Sequence, residues 1–218
     1  MLTGDYQVVD VLMLVGNVLP LSIYFLVLGL VNSHSRPYLT TSRADFIALT
    51  CALAPVLLWP VPAFARGGMI WLLVAGLAVA GALFVHLLLS MGHGLVIYNI
   101  SEARAARLLE ESLRALGLDG RWVDRTWESS EGDLRIHLRR FALLRNVTLH
   151  IDATAPRAAD LTSALGGELH RRLATVAQLP STMGACLVLL GVTLMILPLW
   201  TAGRHIHDVV EAVSHLFG

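Results

Sequence analysis

Four apolar runs, each about as long as a bilayer is thick, decide most of what this chain can become. A hydrocarbon core of about 30 Å needs roughly 20 apolar residues in a helix. Residues 11–31, 46–64, 69–91 and 181–202 each meet that requirement. With no water to satisfy the backbone, such runs cross lipid as helices. Composition agrees: 56% of the 218 residues are hydrophobic and only 15% charged, where a soluble domain carries about a quarter charged. The lipid bilayer is therefore the first expected partner. A formal net charge of zero gives no basic excess for nucleic acid, and none is expected as a partner.

The runs are not uniform. The first contains Asn17 and Pro20, and the fourth contains Pro198. In the second, Pro55, Pro60 and Pro62 surround Trp59. That cluster kinks or ends a helix and sets the tryptophan at headgroup level. A re-entrant second segment is the alternative to a full crossing. The first residues lack the basic stretch of a cleavable signal peptide, so the first helix is expected to stay as an anchor. Small residues let helices approach in lipid. Gly76 and Ala80, with Ala75 and Gly81 beside them, supply such a face in the third run, and Gly184 and Gly191 in the fourth. Cys51 and Cys186 fall inside apolar runs and read as small apolar side chains.

Arginine sets the orientation, because cytoplasmic loops collect positive charge. The first loop holds Arg36 and Arg43, whereas the segment before the first run holds Asp5 and Asp10 and no arginine. The inserted segment carries Arg104, Arg107, Arg114, Arg171 and Arg172 toward its ends; Arg204 alone argues the other way. The expectation is an integral protein of a bacterial inner membrane, with both termini outside and the inserted domain cytoplasmic.

Between the third and fourth runs the periodicity changes. Residues 95–100 are β-branched and aromatic, which reads as a strand. Ser101 is a fitting N-cap for a helix with Ala106, Leu109, Leu113 and Leu116 on one face. Three strands are then expected: residues 121–128, 133–139 and 147–152. The last two alternate strictly, with Leu134, Ile136, Leu138, Val147, Leu149 and Ile151 on one face. Pairing Ile136 with Ile151 would set Arg135 opposite Asp152, which favours that register; one two residues away keeps the same faces and is the alternative. Pro156 opens a second helix with a stripe of Ala158, Leu161, Leu165, Leu169, Leu173 and Val176. The fold class is thus an α-helical membrane protein with four transmembrane helices and an inserted small α+β domain, in the order strand, helix, three strands, helix. Its parts are the first three helices within 1–91, the domain at 92–179, the fourth helix at 180–203 and an amphipathic C-terminal helix at 204–218.

Two candidate sites stand out. The polar sheet face carries Arg135, His137, Arg139 and His150, and the first loop adds Arg36 and Arg43. Such a cationic surface suits an acidic partner, phosphate or anionic headgroups; a solvated strand face has the same pattern. In the C-terminal segment His207, Glu211 and His215 recur at i, i+4 spacing, which can chelate a transition metal. An interfacial amphipathic helix shows that spacing without metal, and no cofactor is expected. His86 is the one ionisable residue well inside the third run, suited to snorkelling or a helix–helix hydrogen bond. The chain lacks GxSxG, HExxH, P-loop and GxGxxG patterns. The functional expectation is a non-enzymatic accessory or scaffold subunit whose domain contacts other membrane subunits or further copies of itself as a homo-oligomer. A membrane-bound enzyme or metal-handling protein acting at the headgroup region is the alternative.

Overall fold

The two hydrophobic periods sort the chain into apolar helices and an alternating sheet. The computed structural model describes residues 2–59, 61, 67–68, 70–141, 145–153, 155–179, 181–207 and 210. Among them the helices are α1 (Leu2–Ser33), α2 (Ser42–Leu58), α3 (Ile70–Ser90), α4 (Glu102–Ala115), α5 (Ala155–Leu173) and α6 (Thr182–Arg204). The strands are β1 (Tyr38–Thr41), β2 (His93–Tyr98), β3 (Gly120–Val123), β4 (Thr126–Ser129), β5 (Arg135–Phe141) and β6 (Asn146–Asp152).

Three helices are long and apolar enough to cross a membrane: Val11–Ser33 of α1, Ile70–Ser90 and Thr182–Arg204. The expected fourth is shorter. α2 has 17 residues, and the Trp59 N–H reaches back three residues to the Val56 carbonyl at 3.3 Å, the tight turn on which a helix closes. Pro60 and residues 62–66 lie outside the described residues.

The chain divides into two compact units. One comprises Met1–Leu28, Ala48–Val79 and Cys186–Gly218, the other Gly29–Ile47 and Ala80–Ala185. In the first, α1 and α6 touch at their backbones. A Cβ on Gly191 would stand 2.9 Å from both the Leu26 nitrogen and the Ser22 oxygen. In the second, the same face of α6 continues at Gly184, where a Cβ would meet the Ser33 hydroxyl at 2.6 Å. The glycines seven apart thus mark a contact within the chain. Gly76 and Gly81 of α3 have nothing within 4 Å of a Cβ position. Asn17 donates from Nδ2 to the Met13 carbonyl of its own helix at 2.6 Å.

The second unit holds a six-stranded antiparallel sheet in the order β1-β2-β6-β5-β4-β3. Two features differ from expectation. The first loop supplies an edge strand, with Tyr38 opposite Tyr98 and Thr41 opposite Leu95. Residues 121–128 are also not one strand. The chain reverses at Asp124, whose φ of 54 is a conformation that aspartate tolerates better than most residues, and Val123 pairs with Thr126. Three strands after α4 therefore become four. The β5–β6 register matches expectation, with Ile136 opposite Ile151 and Arg135 opposite Asp152.

One face of the sheet packs under α4 and α5. Leu95, Ile97, Trp127, Ile136, Leu138, Val147, Leu149 and Ile151 from the sheet meet Leu109 and Leu113 of α4 and Leu165, Leu169 and Leu173 of α5. Arg172 ties the two helices, with Nη1 3.1 Å from Glu111 and Nε 2.7 Å from Glu168.

Candidate functional site

Period-two alternation sends every second residue of β4, β5 and β6 away from the helices. The resulting outer face has rows fixed by register: Glu128, Arg135 and Asp152; Thr126, His137 and His150; Arg139 and Thr148; Phe141 and Asn146. The structure therefore brings Arg135, His137, Arg139 and His150 together as expected. Arg36 and Arg43 are exposed but flank β1, three strand positions from β5, or about 14 Å at the usual strand spacing.

The charges on this face are largely matched from within. His137 Nε2 lies 3.2 Å from one Asp152 oxygen and His150 Nε2 lies 3.3 Å from the other. His137 Nδ1 is 2.8 Å from the Thr126 hydroxyl. With its proton on Nε2, His137 donates to Asp152 and accepts from Thr126, which uses both ring nitrogens. Arg135 turns to Glu128 at 3.2 Å rather than to Asp152 directly across. Arg139 is exposed and makes no ion pair among the described residues, and beside it Phe141 is 55% exposed. The open part of the face thus presents a guanidinium next to an aromatic ring.

The same face is closed over β2. Val96 and Tyr98 point outward yet are 3% and 5% exposed, and the Tyr98 hydroxyl donates to the Asp45 carboxylate at the start of α2. Gly94 lets this cover approach, since a Cβ there would stand 2.5 Å from the Ser42 hydroxyl. The strip covered by the chain itself ends where the polar rows begin.

Arg140 and Arg145 belong elsewhere. Arg140 points to the helix side, where Nη1 is 3.9 Å from Glu102. With Ile100, Ser101, Glu102, Ala103 and Arg145 it lines an open groove of about 530 Å³. Glu102 lines that groove and pairs there with Arg140, and also with Arg125 at 3.1 Å. Asn99 is fully buried and donates from Nδ2 to the His34 carbonyl, which holds the first loop against the sheet.

Of the C-terminal candidates, His207 is exposed just beyond α6, and Glu211 and His215 lie outside the described residues. Among the described residues no group of three or more His, Cys, Asp or Glu could hold a metal ion. His86 is exposed on α3. Sequence reasoning passed over Thr126 and Glu128 as members of the polar face. Their signal was the triplet Thr126-Trp127-Glu128, one buried aromatic between two polar residues, hidden because residues 121–128 read as a single strand. Comparison with protein-family models, with curated proteins and with solved structures finds no match.

Proposed function

We propose that this chain is a non-enzymatic integral membrane subunit, an accessory or scaffold, whose α+β domain docks another protein on its open sheet face. One observation carries the reading: the chain covers the outer face over β2, whereas at the end of β5 Arg139 and Phe141 stand exposed. Arginine and aromatic residues are enriched in protein interfaces. A flat ladder of side chains already paired with one another suits a broad partner better than a small ligand.

Four crossings fit this arrangement by parity. β1 and β2 belong to one sheet, so both lie on one side of the membrane. Between them the chain runs through α2 and α3. If α3 crosses once, the stretch beginning with α2 must cross once as well, and a re-entrant segment would leave β1 and β2 on opposite sides. The arginine distribution favours a cytoplasmic sheet, with the start of α1 and the segment after α6 outside.

The test is site-specific photocrosslinking in cells that make the protein. A crosslinker at Arg139 or Thr148 is expected to capture one protein species, and a crosslinker at the exposed Arg107 of α4 is not. Equal capture at both positions, or capture of lipid alone from the sheet face, overturns the reading. The enzymatic alternative has one observation in its favour: Thr126, His137 and Asp152 stand in the order nucleophile, base, carboxylate. Labelling of Thr126 by an acylating β-lactone, abolished in His137→Gln, would favour it.

A further inference from the structure

In α3 every residue is exposed except Leu73, Phe84 and Leu88, which are partly covered. These three share one side, since residues advance by about 100° each, and there Phe84 stacks on Phe46 of α2 with ring centroids 5.5 Å apart. On the opposite side lie Leu72, Ala75, Val79, Ala82, His86 and Leu89. Their steps alternate between three and four, the spacing of a coiled-coil seam. This is also the side on which α3 carries its one ionisable group.

We propose that this seam binds the same seam of a second copy, α3 against α3 about a two-fold axis along the membrane normal, with His86 meeting His86. Three arguments select a second copy as the occupant. Two copies of one chain insert with the same orientation, so their α3 helices run parallel and identical residues meet at identical depth. Neutral imidazole carries one donor and one acceptor, so it is complementary to itself across such an axis. A polar group facing hydrocarbon is costly and lies, as a rule, against other protein, while Ala75 and Ala82 allow the close approach that brings the imidazoles into reach. An isologous contact of this kind closes at two copies. The inference rests on α3 spanning the membrane and not on the sheet face.

The test uses the full chain with Cys51→Ser and Cys186→Ser. Under mild oxidation in native membranes, Ala82→Cys is expected to give a disulfide-linked dimer, and Leu77→Cys, on the packed side, is expected to stay monomeric. In nanodiscs His86→Leu should weaken dimerisation roughly threefold to thirtyfold, the range for one interhelical hydrogen bond in lipid. His86→Gln, which keeps a donor and an acceptor, should dimerise nearly as the parent does. Monomeric Ala82→Cys, equal crosslinking at both positions, or His86→Leu dimerising like the parent overturns the seam. Those failures in protein that still resists extraction by alkaline carbonate leave the spanning reading standing. Protein that washes off the membrane overturns both.

Discussion

Glu168 shows how much one side chain can organise. Hydrogen bonds from Arg171 first and Arg172 second hold its carboxyl below the ordinary range of a glutamate, and Arg172 passes the link on to Glu111 of α4. Because the folded-state value is depressed, the stabilisation is fully present above the ordinary glutamate value. It is lost as pH falls through the lowered one. Glu168→Gln should therefore lower stability across the neutral region and flatten the acid limb of a stability-against-pH profile, meeting the parent only below the lowered value, as read by hydrogen exchange along α5. Gly191 makes a sharper case. Any side chain there meets backbone atoms of α1 within 3 Å, so Gly191→Val should cost about 1–3 kcal/mol, as overpacking usually does. Gly16→Ala, with nothing within 4 Å, should be close to neutral. Thermal unfolding of the two variants in nanodiscs checks this.

Among the elements, the β3–β4 hairpin is short, yet it brings in the largest fully buried side chain, Trp127, which is 1% exposed. Trp127→Ala should cost about 3–5 kcal/mol, whereas Trp122→Ala, at the half-buried rim of the same core, should cost clearly less. Denaturant titration of the domain's tryptophan signal in the full chain separates them. How far each element was legible depends on how strongly its pattern repeats. β6 alternates over all seven of its residues and β5 as far as Arg139, so the buried face was readable in advance, and the opposite charges of Arg135 and Asp152 favoured the observed register over one shifted by two residues. β3 and β4 have four residues each and meet at Asp124-Arg125, where no glycine or proline announces a reversal. β1 has four residues and became a strand only because β2 offered it an edge, which no local pattern encodes. The candidate face was legible for the same reason as β5 and β6. Which cations on it remain available was not, because the pairing of Arg135 with Glu128 depends on the reversal at Asp124 that splits residues 121–128 into two strands.

At the scale of the molecule, the shared sheet makes topology testable without knowing which side is which. Single cysteines at Arg36 and at Arg121, in the background lacking Cys51 and Cys186, must respond alike to an impermeant thiol reagent in intact cells. Both are expected to be shielded, and a cysteine at Arg204 to be labelled. Opposite responses at Arg36 and Arg121 would break the parity argument; matched labelling of both would invert the orientation. β1 also imposes an order on biogenesis. It is synthesised before α2 and α3, and its only neighbour in the sheet, β2, follows them, so the sheet cannot close until both helices have been made. If α2 and α3 both cross, a chain that inserts only one of them would hold β1 and β2 in different compartments and leave β2 with a bare edge, the kind of surface that recruits chaperones and proteases. Sheet closure would then act as the molecule's own proofreading of membrane insertion.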